Sequence, residues 1–185
     1  NPSGVPDIMR GEETQVVGIG TDGIFLLPGS HSKWVLVQQN KIIWFSTFIT
    51  GELFAVLKDH SILGRMMAGT KLDDEAFSRG VSYGALSKSS MQALFSARTL
   101  ALFGELPESG VADYLSGLLI GAEITAARDM INTSNTDITI VGGQDLSDRY
   151  EKALAMCGLR SRAAEKDAAA RGHWRIALAA GLVAL

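Results

Sequence analysis

Two hydrophobic periodicities alternate along the chain, and each predicts a different kind of element. Three short apolar runs of strand type come early, and a turn at Gln39 and Asn40 separates the last two. From Thr50, which is placed to cap a helix, apolar residues recur at three- and four-residue steps, the helical period. The predicted strands are 23–27, 33–38 and 41–46, and a short helix at 12–18 precedes them.

The rest of the chain reads as a run of helices followed by alternating strands and helices. One of the predicted helices contains the small residues Ser116, Gly117, Gly121 and Ala122, which indicate that a neighbour packs closely there. The predicted helices after the one that begins at Thr50 are 73–86, 90–103, 108–131, 146–156 and 166–182, and the predicted strands are 137–141 and 159–163.

The order of these elements is β-β-β-α, then a helical insertion, then β-α-β-α. Three strands on short connections form an antiparallel meander, and the later strands join by right-handed parallel crossovers. The sequence therefore predicts an α/β fold of ribonuclease-H-like, actin-like ATPase type, in which a mixed β-sheet has helices on both faces and a helical insertion.

Composition and charge narrow the possible partners. The 17 Lys and Arg against 20 Asp and Glu give a net charge of −3, which supplies no basic footprint for nucleic acid. Cys157 is the single cysteine of the sequence, so an internal disulfide is excluded and a reducing compartment is favoured. No apolar stretch approaches a membrane span of roughly 18 residues. We expect a cytoplasmic protein without nucleic-acid or membrane partners, and the sequence leaves its oligomeric state open.

The first candidate for chemistry is a pair of carboxylates at the start of the first helix. Glu12 and Glu13 follow Gly11, and a carboxylate fixed there can act as a general base towards a substrate hydroxyl. The alternative is that both acids simply favour the positive end of the helix dipole.

The second candidate is the loop between the first two strands. Gly29, Ser30, His31, Ser32 and Lys33 combine backbone amides, hydroxyls and an ammonium group, a set that suits an anion such as phosphate. The alternative is a β-hairpin with a polar loop. The three histidines of the chain lack ligand spacing, and no metal ligand is predicted.

The third candidate follows the late strand. Gly142, Gly143 and Gln144 lead from that strand into a helix, and glycines there let a nucleotide approach the backbone at the carboxyl ends of the strands. The same turn also arises for geometric reasons alone.

Four segments resemble the 2-dehydro-3-deoxygalactonokinase family, within the actin-like sugar kinases. They are Met-Arg-Gly-Glu-Glu-Thr-Gln at 9–15, Leu-Pro-Gly-Ser-His-Ser-Lys-Trp-Val at 27–35, Thr-Gly-Glu-Leu-Phe at 50–54 and Leu-Ser-Gly-Leu-Leu-Ile-Gly-Ala-Glu at 115–123. The resemblance implies phosphorylation of the C6 hydroxyl of 2-dehydro-3-deoxy-D-galactonate with ATP and Mg²⁺.

The resemblance also implies roles for the three candidates. In related carbohydrate kinases a Gly-Asp-Gln segment supplies the catalytic base, and Gly11-Glu12 stands in the matching place, with Glu13 as the alternative base. The loop at 29–33 would hold the β- and γ-phosphates of ATP. The turn at 142–144 would border the adenosine.

Such kinases have an N-terminal half that opens with an Asp-Trp-Gly-Thr-type phosphate loop, which this sequence lacks. The expected organisation is therefore a linker at 1–11 from a missing N-terminal lobe, followed by a C-terminal ATP-binding lobe at 12–185. We expect the chain alone to be inactive. The rival hypothesis is a non-catalytic interaction module with the same ribonuclease-H-like fold.

Overall fold

A computed structural model describes residues 4–69, 71–131 and 137–183. These described residues divide into two compact units. The first comprises 4–48, 137–151 and 160–183, and the second comprises 49–69, 71–131 and 152–159. Residues 1–3 of the predicted linker and residues 184–185 of the predicted lobe lie outside the described residues.

The first unit contains the sheet. Its strands are β1 (Gly23–Leu27), β2 (Ser32–Gln38), β3 (Lys41–Phe48), β4 (Ile138–Ile140) and β5 (Ser161–Ala163), and its helices are α1 (Glu12–Ile19), α7 (Ala168–Ala179) and the first part of α6 (Gln144–Met156). Among the described residues the strand order is β3-β2-β1-β4-β5. β1 pairs with β2, and β2 with β3, in antiparallel fashion, whereas β1 with β4, and β4 with β5, are parallel. The predicted mixed sheet, with a meander followed by parallel crossovers, is confirmed.

Helices cover both faces of this sheet. On one face Val16 of α1 and Ala168 of α7 pack with Phe25, Val35 and Val141 in a buried apolar cluster. α6 lies against the other face, where its Tyr150 meets Ser32 of β2. Adjacent side chains of a strand point to opposite faces, so these two sets of contacts follow from the alternation of the strands.

The second unit is the helical insertion. It contains α2 (Thr50–His60), α3 (Asp74–Leu86), α4 (Ser90–Leu102) and α5 (Val111–Ile131), with short 3₁₀ turns at Gly64–Met66 and Glu108–Gly110. Tyr114 and Leu118 of α5 pack with Ala93 and Ala97 of α4 in one cluster, and Leu115 of α5 packs near α2 in another. Within the described residues no helix is long and apolar enough to cross a membrane.

One predicted cap is wrong. Ile49, not Thr50, occupies the N-cap position of α2, and no side chain caps this end. The backbone carbonyl of Ile49 accepts the first helical hydrogen bond from the amide of Leu53, so Thr50 already lies inside the first turn. By contrast, Asp73 caps α3, because its side chain accepts a hydrogen bond of 2.9 Å from the amide of Ala76.

Candidate functional site

The start of α1 fixes two carboxylates through backbone amides of the preceding residues. Gly11 precedes the helix with a φ of 107°, a left-handed conformation that favours glycine. Oε2 of Glu12 accepts a hydrogen bond of 2.8 Å from the amide of Arg10, and Oε2 of Glu13 accepts one of 2.7 Å from the amide of Gly11. The chain before the helix is therefore tied to both side chains.

The first two residues of β2 extend to opposite faces of the sheet. Ser32 is fully buried, and its hydroxyl lies 2.9 Å from the hydroxyl of Tyr150 on α6. Lys33 extends towards α1, where its Nζ lies 2.8 Å from Oε1 of Glu12 and donates to the carbonyl of His31 at 3.1 Å. The end of the loop is therefore held from both faces of the sheet.

The turn after β4 lies beside the loop after β1, because these two strands are parallel neighbours. The amide of Val141 donates to the carbonyl of Leu26 at 2.8 Å and extends the pairing by one residue. A Cβ on Gly142 would lie 3.5 Å from Cδ of Pro28, so the backbones of the loop and the turn run close together. Gln144 instead turns along α6, where its amide nitrogen donates to Asp148 at 2.6 Å.

These segments enclose a cleft of about 310 Å³ at the carboxyl edge of the sheet. Six of the predicted site residues line it, and it also includes residues that sequence reasoning missed. The predicted ones are Glu12, Gly29, Ser30, His31, Lys33 and Gly142, and the additional ones are Gln15, Leu27, Pro28 and Val141. Gln15 could have been found from the sequence, because it lies three residues after Glu12 and so shares a helix face with it.

Four predicted site residues do not line this cleft: Glu13, Ser32, Gly143 and Gln144. The carboxylate of Glu13 is turned back to the amide of Gly11, and the hydroxyl of Ser32 belongs to the opposite face of the sheet. Gly143 follows the lining residue Gly142 in the chain, and its backbone carbonyl accepts a hydrogen bond from the amide of Ser147.

The electrostatics of the cleft favour an ionised Glu12. Burial tends to raise the pKa of this carboxyl, but the hydrogen bond and positive charge of Lys33, together with backbone amides that include that of Arg10, outweigh it and lower the pKa below its usual value. The side chain of Lys33 is only 8% exposed, and that of Glu12 is 25% exposed. The cleft thus contains a carboxylate that is charged at neutral pH and held by contacts to both of its oxygens.

The strand order and the helices on both faces define a class of fold. Component A of (R)-2-hydroxyglutaryl-CoA dehydratase from Acidaminococcus fermentans has a TM-score of 0.54 to this chain at 13% identity, and the match covers 89% of this chain and 64% of that one. At this identity the likeness concerns the fold alone. The chain has the predicted ribonuclease-H-like, actin-like ATPase fold.

Sequence comparisons define the family. The sequence model of the 2-keto-3-deoxy-galactonokinase family matches residues 1–176. The chain is 36% identical over 166 residues to the 2-dehydro-3-deoxygalactonokinase of Escherichia coli (strain K12), a match that covers 88% of this chain and 56% of that protein. It is also 36% identical over 179 residues to a candidate 2-dehydro-3-deoxygalactonokinase of Rhizobium meliloti (strain 1021), with 90% of this chain and 57% of that protein covered.

A solved structure agrees with these matches. The crystal structure of a candidate 2-dehydro-3-deoxygalactonokinase from Sinorhizobium meliloti has a TM-score of 0.88 to this chain at 34% identity, and the match covers 96% of this chain and 62% of that one. The chain belongs to the 2-keto-3-deoxy-galactonokinase family. It spans a little over half the length of the curated relatives that it matches.

Proposed function

We propose that this chain forms the nucleotide-binding lobe of a kinase that transfers the γ-phosphoryl group of ATP to the C6 hydroxyl of 2-dehydro-3-deoxy-D-galactonate. Membership of the family supports the reaction, because the E. coli relative is named for it. The residue roles are inferred from the cleft, because Glu12, the loop residues 29–31 and Gly142 all line it. The rival hypothesis of a non-catalytic module gains no support from these relatives.

The loop after β1 fits the phosphates of ATP. A Cβ on Gly29 would meet no atom within 4 Å, so the backbone at this position faces open space. Ser30 and His31 line the same cleft, and exposed backbone amides and a hydroxyl in such a turn form an anion-binding concavity. We assign the β- and γ-phosphates to Gly29, Ser30 and His31, and the adenosine to the side bordered by Gly142, Gly143 and Gln144.

Mg²⁺ fits this cleft as an ion carried by the phosphates. The ammonium of Lys33 lies 2.8 Å from Oε1 of Glu12, and its positive charge disfavours a metal ion bound directly to this carboxylate. Mg²⁺ usually keeps several waters and binds substrate phosphates with few protein ligands. ATP with Mg²⁺ would supply the phosphoryl group and neutralise its charge when bound.

In this mechanism the chain acts mainly by positioning. Glu12 orients the acceptor hydroxyl and takes its proton, and it is suited to this because it lines the cleft and its carboxylate is ionised. The loop and the Gly142 turn orient the nucleotide, and alignment of the reacting groups provides much of the rate enhancement in phosphoryl transfer. We propose that the part of the relatives outside the matched region supplies the opposite wall and the contacts to the sugar acid.

The test compares Glu12→Gln with Glu13→Gln in the intact protein, with ATP, Mg²⁺ and the sugar acid. Glu12→Gln removes the basic oxygen and should lower kcat by roughly 10²-fold or more with little change in the KM for ATP, since general bases contribute about 10²- to 10⁴-fold. Glu13→Gln is the matched control, because the Glu13 carboxylate is turned back to Gly11 and does not line the cleft.

Two results would contradict the proposal in different ways. An intact protein that folds and binds ATP but does not phosphorylate the sugar acid would refute the reaction. A loss of turnover in Glu13→Gln with normal turnover in Glu12→Gln would move the base to Glu13.

A further inference from the structure

Lys33, the second residue of β2, has a different environment from the loop residues Gly29, Ser30 and His31. The whole residue, backbone included, is 6% exposed, although lysine is among the residues that are seldom buried. Its ammonium makes its contacts with the protein itself, at 2.8 Å to Oε1 of Glu12 and 3.1 Å to the carbonyl of His31. A lysine that serves only as a phosphate ligand needs no carboxylate partner on a neighbouring helix.

The contacts of Glu12 complete this arrangement. One carboxylate oxygen is held by Lys33 and the other by the amide of Arg10, so the plane of the carboxylate is fixed by two hydrogen bonds from different segments. A base works only within hydrogen-bond reach of the proton that it removes, and a displacement of about 1 Å can cost about 10²-fold in rate. The orientation of Glu12 therefore depends on Lys33.

We propose that Lys33 is a positioning residue, whose ammonium fixes the Glu12 carboxylate in the cleft, and that it affects turnover through Glu12 and not as a phosphate ligand. This inference rests on the proposed kinase function. Glu12 of α1 and Lys33 of β2 then act together as the base. The residues Gly29, Ser30 and His31 bind phosphate separately from this pair.

A double-mutant cycle in the intact protein tests it. The proteins compared are the wild type, Lys33→Met, Glu12→Gln and the double variant, with kcat and the KM for ATP measured for each. Lys33→Met should lower kcat about 10-fold or more with less than about a threefold change in the KM for ATP. The double variant should be no slower than Glu12→Gln, because two residues that act as one unit have non-additive effects.

The pH dependence of kcat/KM provides a second measurement. It would not change if Lys33 only stabilised the fold. The titratable residues that line the cleft with Glu12 are Lys33 of β2 and His31 of the loop, and Glu13 is its neighbour on α1. Removal of the ammonium makes the Glu12 carboxylate easier to protonate, so the acidic limb of kcat/KM should move to higher pH in Lys33→Met. Lys41→Met is the matched control, since it removes the same charge from an exposed position on β3 and should leave the limb in place.

The outcomes separate the hypotheses. A raised KM for ATP with unchanged kcat would overturn the inference and make Lys33 a phosphate ligand. Losses that multiply in the double variant would overturn it by showing that Lys33 and Glu12 act independently. An acidic limb that stays in place in Lys33→Met would overturn it as well. If Lys33→Met does not fold, Lys33→Gln takes its place in each measurement, and the same changes in kcat, KM and pH profile are expected. A wild-type protein without kinase activity would instead refute the proposed function.

Discussion

Ser32 and Lys33 are neighbours on β2 and therefore extend to opposite faces of the sheet. The sequence groups them with Gly29, Ser30 and His31 as one phosphate-binding set. The structure divides that set, because Ser32 meets Tyr150 of α6 on one face and Lys33 meets Glu12 of α1 on the other. Consecutive polar residues at the end of a loop can thus have separate structural roles once the strand begins.

Asp7 shows that the segment before α1 is attached to the sheet. Its carboxylate accepts hydrogen bonds from the amide of Thr47 on β3 at 2.8 Å and from the amide of Ile8 at 2.7 Å. Burial tends to raise the pKa of Asp7, but the hydrogen bonds of Thr47 and Ile8 and the charge of Lys33 outweigh it and lower the pKa below its usual value. That residues 1–11 form a linker stays a prediction, but Asp7 within it is anchored.

The lowered pKa of Asp7 predicts a pH dependence of stability. A carboxyl whose pKa is depressed in the folded state contributes stability above its usual pKa, and this contribution is lost as the pH falls through the lowered value. The difference in Tm between about pH 7 and about pH 3 should therefore be smaller in Asp7→Asn than in the wild type. Thermal unfolding followed by circular dichroism measures it.

Glu151→Gln provides the control, because Glu151 is an exposed carboxyl on α6. The Tm of Glu151→Gln should change between these two pH values by the same amount as the Tm of the wild type. Equal changes in the wild type and Asp7→Asn would show that the Asp7 contacts contribute nothing to stability.

At the level of elements, α3 and α5 approach so closely that each needs glycine where the other passes. A Cβ on Gly80 of α3 would overlap the carbonyl of Tyr114, and a Cβ on Gly117 of α5 would overlap the carbonyl of Phe77. Gly84 and Gly121 repeat this relation one turn further along both helices, so the two helices run in the same direction. The close packing that the sequence predicts at Gly117 and Gly121 is confirmed.

Gly117→Ala should therefore destabilise the protein. The added methyl group would have to displace backbone of α3, and overpacking of this kind typically costs about 1–3 kcal/mol, which exceeds the helix propensity gained. Urea unfolding measures the change in the free energy of unfolding. Gly143→Ala is the control, because a Cβ there meets no atom within 4 Å, and its effect should stay within about 0.5 kcal/mol. Equal stabilities of the two variants would mean that α3 and α5 separate at little cost.

At the scale of the whole molecule, the chain spans 56% and 57% of the two curated relatives. The cleft residues described above belong to one unit, and the proposed kinase needs a second wall to align the sugar acid with the nucleotide and exclude water. The division into a linker at 1–11 and a lobe at 12–185, like the cytoplasmic location, stays a prediction.

The 185-residue chain alone should bind ATP with Mg²⁺ but show no measurable phosphorylation of the sugar acid. Alignment of bound reactants contributes several kcal/mol to catalysis, roughly 7–11 kcal/mol in well-oriented systems, and one wall cannot supply it. Isothermal titration calorimetry measures ATP binding and a coupled assay measures turnover, with the E. coli relative as the positive control. Turnover near that of the control would show that this chain contains a complete site.

The sequence by itself determined the order and type of the elements, because hydrophobic periodicity is a local property that each segment carries alone. The bounds of β1 match the prediction, and those of α3 and α4 differ from it by one residue. The order of elements also predicts that the carboxyl ends of the strands bring the loop after β1 and the turn after β4 to one crevice, and Glu12, Gly29 and Gly142 do line one cleft.

The tertiary structure alone decided which side chains share the cleft. The pairing of Lys33 with Glu12 and the contact of Ser32 with Tyr150 each join residues whose separation in the chain says nothing about their distance in space. Such contacts depend on which face of a strand meets which helix. That choice is made by the packing of the whole sheet, because a shift of one residue in a strand exchanges its two faces.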